Sequence, residues 1–415
     1  MRILYAVSLF SGLELAIQRG VWQPTGAPTI YRILEALDAG DDHLEIAFCR
    51  KSGGEGRDGG QPPHVSLDGL RRRVWVLPDY GAWLPRRLGL ARLWREWRQA
   101  LFLLRLHRRK RFDLCYFNNG NLLIAALFAY LRRGTVVLRI MGAYPWMKEL
   151  AERRKSPAAW IEYMAYGAPY SYAVNSQDGS GGEWFMEQVL RRDVPRATLL
   201  NGVDRIDEGH ADRVSAKKHL GIDSSRPLVL FVGKMEPAKG CGEFLQAILA
   251  LARQRPGSFQ AVMIGRGPLL EDLKRRVTEE GARTDIRFIP AVPHRTIHEW
   301  HQAADVYVSL NKLGSLSNAN LEAMRSGACM IMLKSDRVAH VDEETDRLLS
   351  DAYVVRISRE ETVKELTVEL ARLLDDPGRR REMREKLRTW AATGISSWDR
   401  RVEEELRLLR GVLAS

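Results

Sequence analysis

Paired cysteines are missing from this 415-residue chain: Cys49, Cys115, Cys241 and Cys329 are scattered, with no Cys-x-x-Cys among them. That spacing excludes a disulfide framework and a cysteine zinc site, and it predicts buried thiols in a reducing, cytoplasmic setting. Apolar runs are short as well; none reaches the roughly 18–20 residues that span a bilayer. The opening Met1–Phe10 resembles the core of an export signal. Glu14 and the lack of a small-residue cleavage pattern favour a first buried strand instead. A Walker loop, a Gly-x-Gly-x-x-Gly after the first strand and a metal-spaced His/Asp cluster are all lacking, which sets aside kinase, dehydrogenase and metallohydrolase classes. His294, His298 and His301 share one helical face but have no acidic or cysteine partner, so a solvated face is expected there and no metal or other cofactor.

What is present is a globular composition, 45% hydrophobic and 28% charged, long enough for two or three domains. The net charge of +12 is lopsided. Residues 1–205 carry 30 Lys+Arg against 20 Asp+Glu, the remainder 34 against 32, so an anionic partner should meet the first half. Nucleic acid is not the expected one, because the cations lack interleaved aromatic platforms or a reader motif. The segment 86–111 sets Leu90, Leu93, Trp94, Trp97, Leu101 and Leu104 on one face and ends in Arg108-Arg-Lys-Arg111. It fits either a helix covering the sheet or a helix lying on an anionic membrane surface.

Short β-branched runs alternate with helical patterns along the whole chain. In the first half strands are expected at 3–10, 44–49, 74–77, 112–117, 135–140 and 171–176. Helical spacing places Ile30, Ile33, Leu34 and Leu37 on one face, while 11–26 and the glycine-rich 50–63 read as loops. After a polar stretch at 205–225 the pattern restarts, with strands at 227–232, 260–264, 285–289, 304–310, 328–333 and 354–357. Units of about 30 residues are the spacing of doubly wound parallel sheets. The expected fold is α/β: an N-terminal Rossmann-like domain (1–205), a second one (206–396) facing it across a cleft, and a terminal helix (397–415) packing back on the first.

Three loops carry the chemistry. Gly233-Lys-Met-Glu-Pro-Ala-Lys239 puts two lysines, Lys234 and Lys239, at a strand's carboxyl end, where they suit a diphosphate. Gly265-Arg-Gly-Pro268 is a tight strand-to-helix turn with bare backbone. The stretch from Asn311 to Gly327 runs from a strand through a small polar loop into a helix capped near Ser317 or Asn318, a ready anion site. Glu322 follows in the first turns, placed to accept from a sugar or ribose hydroxyl.

Taken in order, Thr25-Gly26, Asn201-Gly-Val-Asp204, Gly233-Lys234 with Lys239, Gly265-Arg-Gly-Pro268, Ala303–Val306, Glu322 and Ser397-Trp398 resemble glycosyltransferase family 4. Members are retaining nucleotide-sugar transferases of the GT-B fold. The resemblance implies that Lys234 and Lys239 meet the donor diphosphate and that Glu322 holds the ribose. It implies donor-binding roles for Gly26, Gly233, Gly265, Gly267, Pro290, Leu316, Ser317, Asn318, Ala319 and Leu321, with Arg139, Met141 and Gly142 as candidate cleft residues. The implied partners are a nucleoside-diphosphate sugar and a glycan or polyprenyl-type lipid-linked acceptor of cell-surface polysaccharide or glycolipid synthesis. Two positions depart from the pattern. Gly314 stands where the first of two glutamates is expected, and Met141 where a histidine is frequent. Both departures touch the donor sugar, pointing to an atypical sugar, such as one lacking a C6 hydroxyl, or to a non-catalytic subunit of a polysaccharide complex.

Overall fold

The computed structural model describes residues 1–51, 62–81, 90–152, 156–204, 212–281, 286–293 and 296–414. Most of the expected 50–63 loop, the start of the 86–111 helix, residues 205–211 of the expected linker and His294 lie outside these residues. The chain forms two compact units. One comprises Met1–Gln177, Gly182–Leu199 and Asp399–Ser415; the other comprises Asp178–Gly181 and Leu200–Trp398.

The first unit is built on strands β1 (Arg2–Ser8), β2 (His43–Cys49), β3 (His64–Val65), β4 (Val74–Leu77), β5 (Leu114–Asn118), β6 (Thr135–Ile140), β7 (Tyr172–Gln177) and β8 (Arg196–Leu200), in the order β3-β4-β2-β1-β5-β6-β7-β8. Pairing is parallel from β4 to β7, and β3 lies antiparallel on β4. Helices cover both faces, so β1 is a continuous apolar run buried from Ile3 to Val7. The helix Pro28–Ala39 buries Ile30, Ile33, Leu34 and Leu37, the stripe its spacing predicts.

The second unit holds β9 (Leu228–Val232), β10 (Gln260–Ile264), β11 (Ile286–Ile289), β12 (Val306–Ser309), β13 (Met330–Leu333) and β14 (Val355–Ile357), in the order β11-β10-β9-β12-β13-β14, all parallel. Its order reverses between β9 and β12, and α/β sheets bind ligands at the carboxyl ends of such a pair.

Among the helices that depart from the expected pattern, besides Pro145–Glu152, are three more. Ser11–Arg19 is helical, not loop; its buried residues are only Gly12, Leu13 and Ala16, too sparse a stripe to show, and Gly20 ends it at φ 70°. Pro157–Tyr166 starts from a side-chain cap, Ser156 Oγ accepting from Ala159 N, with Pro157 in its first turn. Glu343–Leu348 is too short to carry a period.

Candidate functional site

The loops after β9, β10 and β12 are laced together by backbone. Gly233 N donates to Ile264 O (3.0 Å), Met235 N to Arg266 O (2.9 Å), Leu269 N to Met235 O (3.0 Å) and Lys312 N to Ala238 O (2.9 Å). Glycine is required for this closeness: a Cβ on Gly265 would lie 1.8 Å from Gly233 O, and one on Gly267 2.4 Å from Met235 O. Gly265 N donates to Ile289 O (2.9 Å), which brings the residue before Pro290 onto the same edge. The structure therefore assembles Gly233, Lys234, Lys239, Gly265, Gly267 and Pro290 on neighbouring loops.

Lys239 is half-buried and donates from Nζ to Asn311 Oδ1 (3.2 Å), on the loop after β12; Lys234 is exposed. Burial lowers the Lys239 pKa below its ordinary value; Glu236 opposes that and Lys234 adds to it. A cation so placed gains from an anion. Asn318 opens the helix Asn318–Arg325, and the first bond to a carbonyl one turn back is from Leu321 N to Ser317 O (2.9 Å). The N–H groups of Asn318, Ala319 and Asn320 have no such carbonyl, so the positive end of the helix dipole is presented there. Ser317 caps by backbone position only, with no side-chain bond. Leu316 and Leu321 are fully buried, so any ligand meets their backbone, and Glu322 is half-buried on the first turns.

Two asparagines hold this loop, and nothing in the spacing announces them. Asn320, 1% exposed, accepts from Tyr307 Oη (2.8 Å) and donates to Ser309 Oγ (2.8 Å) and Ser315 O (2.9 Å). Asn311 donates to Gly314 O while accepting from Lys239.

Gly314 is no vacancy for a sugar. At φ 138° it packs under the segment Asp178–Gly181, and a Cβ there would meet Asp178 O at 2.4 Å, Gly179 C at 2.7 Å and Ser180 N at 2.8 Å. The segment is tied down on both sides: Leu316 N donates to Asp178 O (3.1 Å) and Asp342 N to Gly179 O (2.7 Å). Asp342 accepts from Ser315 N (2.7 Å), Ser315 Oγ (2.9 Å) and Thr345 Oγ1 (2.7 Å). Burial raises the Asp178 carboxyl to about 6; bonds from Ser180 oppose the shift and Asp342 reinforces it.

Gly26, Arg139, Met141 and Gly142 belong to the first unit. Gly26 is exposed with φ 94°, and Gly142 is buried with φ 84°. Met141 packs partly buried against the β1 side of the core. Arg139 is not available to a ligand. Only 1% exposed, it pairs with Glu405 and donates to Ser176 Oγ (2.7 Å), while Tyr116 donates to Glu405 Oε1 (2.7 Å). Burial works against the Arg139 charge, but Glu405 more than offsets it and raises the pKa.

His301 is fully buried edge-on to Tyr307 and pushed to about 3 by burial, not solvated as expected. Among the described residues no group of three His, Cys, Asp or Glu is arranged to hold a metal. A cavity of about 1430 Å³ lined by Lys334, Arg347, Tyr353, Arg356, Arg372 and Trp390, among others, shares no residue with the loops above.

Residues 212–390 match the family model described as glycosyl transferases group 1. The chain is 27% identical over 235 residues to a lipopolysaccharide core biosynthesis mannosyltransferase of Rhizobium meliloti, covering 54% of this chain and 62% of that one. It is 28% identical over 175 residues to an α-D-kanosaminyltransferase of Streptomyces kanamyceticus, covering 42% and 43%. The chain thus spans only part of the curated relatives it matches. Solved structures align over nearly the full length. A sucrose-phosphate synthase from Thermosynechococcus elongatus gives a TM-score of 0.71 at 16% identity, covering all of both chains. An Anabaena protein in complex with UDP and glucose gives 0.67 at 14%, covering 99% of each. Residues 212–390 thus resemble the group 1 glycosyl transferases, and the two sheet-based units have the fold of these solved structures, the GT-B fold.

Proposed function

We propose that the chain is a retaining glycosyltransferase that moves a sugar from a nucleoside diphosphate to a glycan or lipid-linked acceptor in cell-surface polysaccharide or glycolipid synthesis. The observation that carries this is the Lys239–Asn311 bond. It fastens the basic loop after β9 to the helix-opening loop after β12, at the reversal of strand order. Bond cleavage at the anomeric carbon leaves negative charge on the diphosphate. Lys239, its ammonium partly desolvated and held on Asn311 Oδ1, stabilises that charge together with Lys234 and the N–H groups of Asn318 and Ala319. Because Lys239 and the helix N–H groups are held before reaction, little reorganisation is needed there as charge develops. Glu322 accepts from the ribose hydroxyls. We assign no carboxylate in these loops as the base; the departing phosphate itself assists the acceptor. The Rhizobium mannosyltransferase and the UDP-bound Anabaena structure agree with this substrate class.

Lys239→Ala should abolish transfer and donor hydrolysis while leaving thermal stability near wild type; unchanged turnover would remove the diphosphate assignment. A non-catalytic subunit is the second reading, favoured by the filled space beside Gly314. Calorimetry with UDP-, GDP- and dTDP-sugars separates the two, since binding of none of them supports the subunit. The same panel asks whether Met141 selects a sugar without a C6 hydroxyl.

A further inference from the structure

The helix Leu90–Lys110 resolves the two fates expected for segment 86–111 by dividing them. Its Ala100, Leu103 and Leu106 are buried against the first sheet's core, so that much of the helix covers the sheet. Trp94 and Trp97 are not spent this way. They are 37% and 48% exposed, with ring centroids 5.1 Å apart. With Leu93, Ala100, Leu123 and Leu127 they line an apolar slot of about 640 Å³ whose only polar liner among the described residues is Glu96. The slot's other wall is the helix Leu122–Tyr130, and the helix Pro157–Tyr166 continues the face. Arg92 bridges Glu96 to Glu162 across it, and Tyr130 Oη donates to Met164 O (3.2 Å). This third helix exposes Trp160 (51%), Ile161 (41%) and Met164 (56%). Three helices therefore leave aromatic and aliphatic side chains bare on one face of the unit, far more than scattered surface hydrophobes explain.

The charges on this face select the occupant. Glu96 and Glu162 are both locked to Arg92. Arg98 sits over the Trp94 ring (5.8 Å) and the Tyr80 ring (5.3 Å), beside the slot. Arg132 is exposed next to exposed Leu131, and Arg105, Arg108 and Arg109 are exposed along the same first helix, whose Lys110 pairs with Glu45. Tryptophan and tyrosine with a cationic rim match the depth profile of a bilayer surface, ring at the headgroup level and arginine on the phosphates.

We propose that this face docks on an anionic phospholipid bilayer, with a lipid hydrocarbon chain entering the slot between Trp94–Trp97 and Leu123–Leu127. The proposal deepens the lipid-linked acceptor suggested above by giving the first unit a membrane seat. It does not depend on the donor chemistry.

Flotation of the full chain with phosphatidylcholine vesicles, with and without phosphatidylglycerol, tests it. The protein should float only with the anionic vesicles. Phospholipid brominated along the chain should quench part of its tryptophan emission. Trp94→Ala/Trp97→Ala should lower binding at least about tenfold and remove that quenching, with its melting temperature and donor hydrolysis unchanged. Trp160→Ala/Met164→Ser is a second variant away from the slot and should weaken binding independently. A wild-type protein that stays unbound overturns the proposal. So does undiminished flotation of both double variants, which would leave a purely electrostatic contact. Lys239→Ala should float like wild type, so failure of the donor site and failure of the membrane seat are distinguishable.

Discussion

Restoring an acid at Gly314 should harm this protein. A sequence comparison suggests the opposite, because glutamate is the residue the family pattern expects there. Two costs set the magnitude. A side chain at φ 138° is strained by about 1–3 kcal/mol. The new Cβ would also sit 2.4–2.8 Å from backbone atoms of Asp178, Gly179 and Ser180, which cannot swing aside as a side-chain tip can. Overpacking of that kind costs about 1–3 kcal/mol more. Gly314→Ala should therefore destabilise the second unit by about 4 kcal/mol, lowering its melting temperature by roughly 10 °C for a unit of about 200 residues. Gly314→Glu should cost at least as much and bind donor no better than wild type. Gly221 serves as the control: its φ is 65° and nothing lies within 4 Å of an added Cβ, so Gly221→Ala reports the conformational cost alone. Urea unfolding of the three variants, with calorimetry against sugar nucleotides, is the assay. If Gly314→Ala shifts stability by less than about 0.5 kcal/mol, or Gly314→Glu gains donor affinity, the packing account of this position is wrong.

Other perturbations are equally specific. Glu405→Ala leaves Arg139 buried without its counter-ion and should cost about 3–5 kcal/mol in urea unfolding; a loss near zero would mean that water already serves Arg139. Asn320→Ala strands Tyr307 Oη and frees Ser315 O, at about 2–3 kcal/mol, and should weaken donor affinity as well because the loop opening at Asn318 loses its tether. An effect on stability with donor affinity intact would uncouple the tether from the site. Asp178 titrates near 6 in the fold, above the ordinary 3.8, so its ionisation opposes folding. Its share of stability is present below about pH 4, falls as pH rises to about 6 and stays lost above, by up to about 3 kcal/mol. Asp178→Asn should flatten that fall, and identical pH profiles for the two proteins between 4 and 7 would refute it.

Legibility in the sequence followed the physics of each element. Strands buried on both faces, such as β1 and β10, are continuous apolar runs and stand out. The basic loop and the helix opening at Asn318 were legible because cations and small polar residues recur at strand ends, where parallel sheets expose their loops. The helix Ser11–Arg19 was hidden because so little of it is buried. Arg139 carried two meanings, ligand or ion pair, and its partner Glu405 lies 266 residues away, beyond any local pattern. Gly314 misled for the same reason. Its neighbour is Asp178, and no spacing rule connects positions so distant. Asn311 and Asn320 look like loop residues in sequence, yet they act as braces, because an amide's two ends can join three backbone or side-chain groups at once.

The Arg139–Glu405 pair also sets a timetable for synthesis. Every strand of the first sheet has been synthesised by residue 200, yet the carboxylate that neutralises Arg139 arrives only with the helix Trp398–Ala414. Until then the nascent sheet holds a guanidinium and the Tyr116 hydroxyl in its interior without their acceptor. Completion of the first unit thus waits for residue 405, and a ribosome stalled before that codon would release a chain whose first-made unit is still unfinished.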